Sequence, residues 1–139
     1  MIASVFDKFP MPPCARHLGW TLVDYDAEAR WAKLAFEARP EFLNPAGFVQ
    51  GGFVTAMLDD TMGPTVMLAT GGRSYTVTIN LNVNFVAPAR QGKFFGEGRI
   101  VNLGKTIAFL EASLSDAGGN LVATATSSAR LVPVERIAA

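Results

Sequence analysis

Apolar and polar residues alternate along the second half of the chain, and this pattern predicts a series of β-strands. The alternation is clearest in residues 76–85, where five apolar side chains occupy every second position, as in a half-buried strand. Residues 93–103, 106–115 and 120–132 predict three further strands. Turn sequences rich in Asn, Asp and Gly separate these last three segments, so we expect hairpins between them.

The first half of the chain predicts two strands and one long helix. After a proline-rich N-terminal segment, which predicts a short helix or turn, strands are expected at residues 18–25 and 30–36. Residues 50–62 carry apolar side chains around nearly the whole helical circumference, which is typical of a helix buried on most sides. Gly63-Pro64 predicts a kink or break in this helix, with another turn or two in residues 65–70.

This order of elements indicates a single α+β domain over residues 1–139. No internal repeat, linker or low-complexity segment divides the sequence. A lone helix that is apolar on nearly all sides needs a curved antiparallel sheet wrapped around it. We therefore expect a hot-dog fold, with two strands before the central helix and four meandering strands after it.

Composition limits the partners of this domain. Half of the residues are hydrophobic and the mean hydropathy is +0.26, so we expect a homodimer, or a dimer of dimers, that buries the apolar surplus. The 12 basic and 12 acidic residues cancel without forming a basic stripe, which argues against nucleic-acid binding. No apolar stretch approaches the ~20 residues of a membrane span.

The N-terminus and the single cysteine favour a cytoplasmic location. Residues 1–10 contain an early Asp and no sustained apolar core, unlike a signal peptide. Cys14 is the only cysteine, so neither an intrachain disulfide nor a cysteine-based metal site is expected. We expect Cys14 to be a small buried side chain rather than a nucleophile. The sequence indicates no metal and no cofactor.

Two glycines and an acid along the predicted helix could carry chemistry. Gly51 and Gly52 at the helix start leave backbone N–H groups that no side chain shields, and a helix N-terminus can polarise a carbonyl oxygen. Asp59 lies eight residues beyond Gly51, or ~12 Å along the helix. Because that distance is too long within one chain, the spacing indicates a site shared between two antiparallel helices of a dimer.

Simpler explanations exist for each of these features. The pair Gly51-Gly52 also fits a tight turn before a helix. An acid in an apolar helix needs partners or a task, and Asp59 or Asp60 could merely cap the helix or pair with a surface arginine. Since two consecutive acids point about 100° apart on a helix, at most one of them can occupy a given buried position.

Taken together, the motifs resemble those of the PaaI-like hot-dog thioesterases. The resemblance extends from about Leu18 to Val132. It rests on Asn44, a short Gly-containing loop, the X-Gly-Gly sequence at residues 50–52, an acid nine residues after X, and a strand that ends in Phe-X-X-Pro-Ala. The turn at residues 101–105 also matches.

The resemblance implies roles for individual residues of this sequence. It implies that the Gly51 N–H binds the thioester carbonyl, that Asn44 positions water or substrate, and that Asp59 acts as general base or nucleophile. Thr78 would assist Asp59 from the same subunit, while Asn44 and Gly51 would come from the partner. Candidate contacts to the substrate or to the coenzyme A phosphates are Gly52, Arg73, Arg90 and Lys105. Each of the three basic residues could also be an ordinary surface charge.

The sequence departs from the family pattern at two places. The family usually has His at position X, where this chain has Gln50; an amide can hydrogen-bond but cannot change charge near neutral pH. If proton transfer were needed at that position, activity would fall by roughly 10²–10⁴-fold. In addition, strict alternation places Thr78 on the face opposite Leu81, so it reaches the site only if a bulge re-aims it.

The expected activity is hydrolysis of an acyl- or aryl-coenzyme A thioester. A dehydratase or hydratase of the same fold needs a histidine in the site, and the only histidine, His17, lies in the N-terminal segment, where a surface or structural role is expected. The alternative that remains is a non-catalytic hot-dog protein that binds acyl-CoA or an aromatic ligand, and Gln50 is the residue that favours it. The identity of the acyl group is left open.

Overall fold

The computed structural model describes residues 2–136. It contains two α-helices, six β-strands and three short 3-10 helices. The α-helices are α1 (Pro13–His17) and α2 (Gly51–Ala69). The strands are β1 (Thr21–Asp26), β2 (Trp31–Ala38), β3 (Ser74–Phe85), β4 (Gly92–Leu103), β5 (Ile107–Asp116) and β6 (Leu121–Pro133). The 3-10 helices are Val5–Lys8, Pro40–Phe42 and Val134–Arg136.

One antiparallel sheet packs against the long helix α2, which confirms the predicted α+β hot-dog fold. The strand order is β1-β2-β4-β5-β6-β3. Strand β4 approaches α2 so closely that a Cβ at Gly96 or Gly98 would collide with the side chain of Thr61 or Thr65. These two glycines let the helix lie directly on the centre of the sheet, where Met57, Leu58 and Val66 are fully buried.

The expected meander of four strands after the helix is wrong in one respect. Only β4, β5 and β6 follow one another in space, whereas β3 pairs with β6 and forms an edge of the sheet. Hydrophobic alternation defines which face of a strand is buried, but it does not define which strand lies beside it. The N–H and C=O groups on the outer side of β3 therefore lack a strand partner within residues 2–136.

Strand β3 also contains a bulge that the strict alternation did not predict. Thr78 pairs with Ala129 and Asn80 pairs with Ser128, so Ile79 is an additional residue between two registered pairs. The bulge exchanges the two faces of the strand at this point. Thr78 consequently faces α2, as do residues beyond the bulge such as Phe85.

Helix α2 continues through Pro64, contrary to the predicted break. Proline has no N–H to donate to the carbonyl four residues earlier, which here belongs to Asp60. The indole Nε1–H of Trp20 donates to that carbonyl at 3.1 Å and replaces the missing helical hydrogen bond. Because this donor comes from a residue 40 positions away, the local sequence could not reveal it.

The N-terminal segment corrects a further expectation. Cys14 is exposed, not buried, because it follows Pro13 at the start of the five-residue helix α1, whose buried residue is Ala15. His17 ends the same helix on the surface, with its ring 5.1 Å from that of Phe42. None of the helices described is both long and apolar enough to cross a membrane.

Candidate active site

The loop before α2 is organised by Asn44. Its side-chain oxygen accepts hydrogen bonds from the N–H groups of Ala46 and Phe48, at 3.0 and 3.1 Å. The half-buried carboxamide is therefore fixed in orientation, because the atom facing two N–H donors must be the oxygen. Its NH₂ group makes no hydrogen bond within residues 2–136 and can donate to a ligand beside the loop.

Gln50 caps the N-terminus of α2. Its backbone is extended, and its side-chain Oε1 accepts a hydrogen bond of 2.6 Å from the N–H of Gly52. The Gly52 amide is therefore already satisfied, which corrects the expectation that both glycine amides are free. The N–H of Gly51, a half-buried residue, has no partner among the described residues, so it remains as an unpaired donor at the positive end of a 19-residue helix.

The free amide of Gly51 lies against an aromatic ring. A Cβ added at Gly51 would lie 3.2 Å from Cζ and 3.3 Å from Cε1 of Phe85. A side chain at position 51 would thus crowd the ring, which would have to shift by a few tenths of an ångström. Nothing in the sequence pattern singled out Phe85 as a neighbour of Gly51, since the two residues belong to different elements.

Asp59 and Thr78 form a hydrogen-bonded pair farther along the same helix. The hydroxyl of Thr78 donates to Oδ1 of Asp59 at 3.1 Å. The bulge at Ile79 makes this contact possible by turning Thr78 toward α2. Asp59 is otherwise exposed, so one carboxylate oxygen is held by the threonine while the other is open to water or to a partner molecule.

Asp60 is the carboxyl group whose environment is most unusual. Burial, and secondarily the neighbouring Asp59 carboxylate, raise its pKa from 3.8 to about 7. Its Oδ2 atom is buried without a hydrogen-bond partner in the described part of the chain. The sequence could show that two adjacent acids face different directions, but not that the second lies near Trp20 with one carboxyl oxygen buried.

The basic residues proposed from the sequence lie at different ends of the molecule. The Arg90 guanidinium lies over the ring of Phe48, 5.2 Å from its centroid, beside the loop of Asn44. Arg73 follows the C-terminal end of α2, about 28 Å along the helix from Gly51, and Lys105 is exposed in the turn between β4 and β5. Only Arg90 is thus close to the free amide of its own chain.

His17 lies near the start of α2, with its ring 6.4 Å from that of Phe53, but it makes no hydrogen bond to Asn44, Gln50 or Gly51. The His17 ring packs on Phe42 and contacts the guanidinium of Arg39. Residues 2–136 contain no group of three His, Cys, Asp or Glu side chains placed to hold a metal ion. The Gly51 N–H and the Asn44 carboxamide at the helix start are neutral donors, and the first carboxylate along α2 is that of Asp59, which is paired with Thr78.

Comparison with known proteins points to one family. The sequence profile of the Thioesterase superfamily matches residues 46–123, more than half of the chain. A Saccharolobus solfataricus protein provisionally named as an esterase is 32% identical over 90 residues, which is 65% of this chain and 64% of that protein. The chain spans less than two thirds of the length of the curated relatives it matches.

Solved structures share the fold. A phenylacetic acid degradation-related protein from Ralstonia eutropha JMP134, provisionally named as a thioesterase, is 35% identical, with a TM-score of 0.85 over 91% of this chain and 95% of that chain. A Streptococcus mutans UA159 protein, solved bound to acetyl-CoA, is 21% identical, with a TM-score of 0.72 over 82% of this chain and 89% of that chain. At that identity the second similarity concerns the fold alone.

Proposed function

This chain belongs to the Thioesterase superfamily and is PaaI-like within it, and from that premise we propose that it hydrolyses acyl- or aryl-coenzyme A thioesters at a site shared by two copies of the chain. Family membership supports thioester hydrolysis as the general activity. The observation that carries the finer proposal is the Asp59–Thr78 pair, because Asp59 and Gly51 both contact strand β3, the first through Thr78 and the second through Phe85.

The Gly51 amide is the proposed electrophilic element of the site. A thioester carbonyl placed against this N–H would develop negative charge in the transition state, where the helix dipole and the amide stabilise it. The NH₂ group of Asn44 lies in the adjoining loop as a second neutral donor. Neither donor changes charge with pH, so both serve the ground state and the transition state at any pH at which the protein is folded.

Asp59 is the proposed base or nucleophile, and Thr78 positions it. The threonine hydroxyl fixes one carboxylate oxygen, which leaves the other free to take a proton from water or to attack the carbonyl carbon. If the carboxylate attacks, a bond forms between its oxygen and the acyl carbon, the C–S bond breaks, and the resulting anhydride is hydrolysed by water. In both routes the CoA thiolate leaves, and the acyl group departs as a carboxylic acid.

A second copy of the chain is required because Asp59 is ~12 Å along the helix from the Gly51 of its own chain. The open edge of β3 supports this requirement, since Val77 and Ile79 there are 50% and 61% exposed. A partner strand added antiparallel to β3 would bring its own helix alongside in the opposite direction. Asp59 of one copy would then face Gly51 of the other.

Coenzyme A is the proposed thiol carrier. A structural relative of the same fold was solved with acetyl-CoA bound, and Arg90 lies next to the loop at the helix start. A guanidinium is well suited to phosphate, because its planar donor groups match phosphate oxygens in pairs. Gly52, Arg73 and Lys105 stay less direct proposals, since the Gly52 amide is occupied by Gln50 and the other two lie away from this loop.

One observation favours a second function, namely binding of acyl-CoA without turnover. Gln50 stands where the family usually has histidine, and its side chain is engaged as a helix cap. Hydrolysis is favoured over binding because the leaving thiol is acidic, with a pKa of about 8.5 in free cysteine. A thiolate can therefore depart without a strong general acid at position 50.

Thiol release from a panel of acyl- and aryl-CoA esters tests the proposal. We expect turnover by the unaltered protein, and a loss of about 10²-fold or more in kcat for Asp59→Asn. Glu111→Gln, which alters an exposed carboxylate on the outer face of β5, is the matched control and should keep full activity. Binding of the whole panel without thiol release would establish the second function instead.

Mixing two inactive variants tests whether the site is shared. Proline at position 51 removes the N–H itself and is tolerated at the first position of a helix. In a mixed dimer of Asp59→Asn and Gly51→Pro chains, one of the two sites contains both an intact Asp59 and an intact Gly51 N–H. Because half of the randomly assembled dimers are mixed, about a quarter of the original activity should return. No recovery on mixing, or a monomer by light scattering at micromolar concentration, would contradict the shared site. Single turnover in ¹⁸O water separates the two routes, because label enters the Asp59 carboxylate only through an anhydride.

A further inference from the structure

The side chain of Phe85 is unusually placed for an aromatic residue at the end of a strand. Its ring touches the position of Gly51, with Cζ and Cε1 at 3.2 and 3.3 Å from where a Cβ would be. Phe85 is nevertheless 58% exposed. One side of the ring thus packs against the helix start, and the remainder faces solvent directly beside the unpaired N–H.

The apolar surface continues beyond the ring. Val86 is 56% exposed, and its N–H donates to the carbonyl of Val122 at 2.9 Å, which places it next to Leu121, itself 41% exposed. Phe85, Val86 and Leu121 are thus three exposed apolar residues at the end of β3 and the start of β6, and Phe85 is the one that contacts Gly51. Exposed aromatic and branched side chains that adjoin a polar donor are typical of a ligand-binding surface.

The two substituents of a thioester carbonyl differ in what they need from the protein. The carbonyl carbon bears sulfur on one side and the rest of the acyl group on the other, so both chains start two bonds away from the carbonyl oxygen held by Gly51. The phosphate-bearing side is matched by Arg90, which lies over Phe48 in the preceding loop. The exposed Phe85 ring carries no charge and suits an apolar acyl group.

We propose that Phe85 contacts the acyl group of the substrate and makes the protein select apolar acyl groups larger than acetyl. This inference rests on the thioesterase function proposed above. The acyl group lies along the exposed part of the Phe85 ring. The contact removes apolar surface of both partners from water, which favours longer groups over acetyl because acetyl ends before it covers the ring.

The ratio of kcat/KM for hexanoyl-CoA to that for acetyl-CoA tests this inference. In Phe85→Ala we expect the ratio to fall about tenfold, which corresponds to the burial of less than two methylene groups. Phe85→Leu keeps an apolar side chain of similar reach, so its ratio should fall less than that of Phe85→Ala. Phe109→Ala is the matched control, because Phe109 is also exposed, at 50%, but lies on the face of the sheet away from α2. Its ratio should stay within about twofold of the original.

Other roles for Phe85 predict different results. If the ring only supports the helix start, Phe85→Ala lowers kcat/KM equally for both substrates, and the unchanged ratio overturns the inference. If the ring belongs to the interface between copies, light scattering shows loss of the dimer while the ratio is unchanged, which also overturns it. Absence of turnover in the unaltered protein and in Phe109→Ala would instead refute the thioesterase function, and the acyl contact with it.

Discussion

Replacing Asp60 with asparagine should remove a pH dependence that this buried carboxyl group imposes on stability. In the folded chain, burial and the nearby Asp59 carboxylate raise the pKa of Asp60 from 3.8 to about 7. An unfolded chain ionises the same group near its ordinary value. Between these two pH values the folded state holds a proton that the unfolded state has released. Raising the pH across this interval therefore favours unfolding.

The size of the effect follows from the two pKa values. Each pH unit between the two pKa values lowers the free energy of unfolding by about 1.4 kcal/mol. The full interval amounts to about 4 kcal/mol, lost progressively from about pH 4 to pH 7 and constant above it. This is a large share of the 5–15 kcal/mol by which domains are typically stable. Asparagine has nearly the same shape and cannot ionise. As the pH rises, the free energy of unfolding of Asp60→Asn should therefore increase by this amount relative to that of the unaltered protein.

Urea denaturation at fixed protein concentration, from pH 4 to pH 8, measures the effect. The difference in unfolding free energy between Asp60→Asn and the unaltered protein should widen by about 1.4 kcal/mol per pH unit and then level off near pH 7. Glu111→Gln removes an exposed carboxylate and should give a curve parallel to that of the unaltered protein. Parallel curves for Asp60→Asn would refute the reasoning, because they would mean that the buried carboxyl ionises normally.

Two further predictions concern the helix on which the site is built. Gln50→Ala should destabilise the fold by about 1 kcal/mol. Gln50→Ser should restore most of that loss, because serine also accepts a hydrogen bond from the first turn. Equal stabilities of the unaltered protein and Gln50→Ala in urea would mean that the cap contributes nothing. Gly96→Ala should destabilise by about 1–3 kcal/mol, because the new methyl group meets Thr61. In a Thr61→Ala background the same change should cost much less, and additive losses in the double-mutant cycle would contradict the close packing.

The elements of the fold could be predicted from local patterns, but their arrangement could not. The strands at residues 92–103 and 121–133 lie within one residue of their predicted ends, because alternation and turn residues are local signals. The pairing of β3 with β6 depends instead on which edges meet in three dimensions. The continuation of α2 through Pro64 likewise depends on a hydrogen bond from Trp20, a residue distant in sequence.

The candidate site divides in the same way. The family resemblance indicated Asp59 and Thr78, and the alternation of β3 set the condition that a bulge must re-aim Thr78. That condition is met at Ile79. Their catalytic roles stay predictions. The burial of Asp60 and the contact of Phe85 with Gly51 could not be inferred, since each depends on the packing of α2 against elements remote in sequence. Chemical identity is readable from the sequence, whereas environment requires the fold.

The neutral character of the helix start also determines how the proposed reaction should respond to pH. The donors there are the N–H of Gly51 and the carboxamides of Asn44 and Gln50, none of which titrates. A titration of activity near neutral pH would therefore have to come from outside this group. Asp60 is the carboxyl group that ionises at about pH 7, and it directly follows Asp59 in α2. Its ionisation adds a negative charge close to the proposed base. This happens in the pH range in which a histidine at position 50 would have titrated. We therefore expect kcat to change around pH 7, and this change should persist in Gln50→Ser and disappear in Asp60→Asn. That result would assign the pH sensitivity to Asp60. A change that survives Asp60→Asn would refute the assignment.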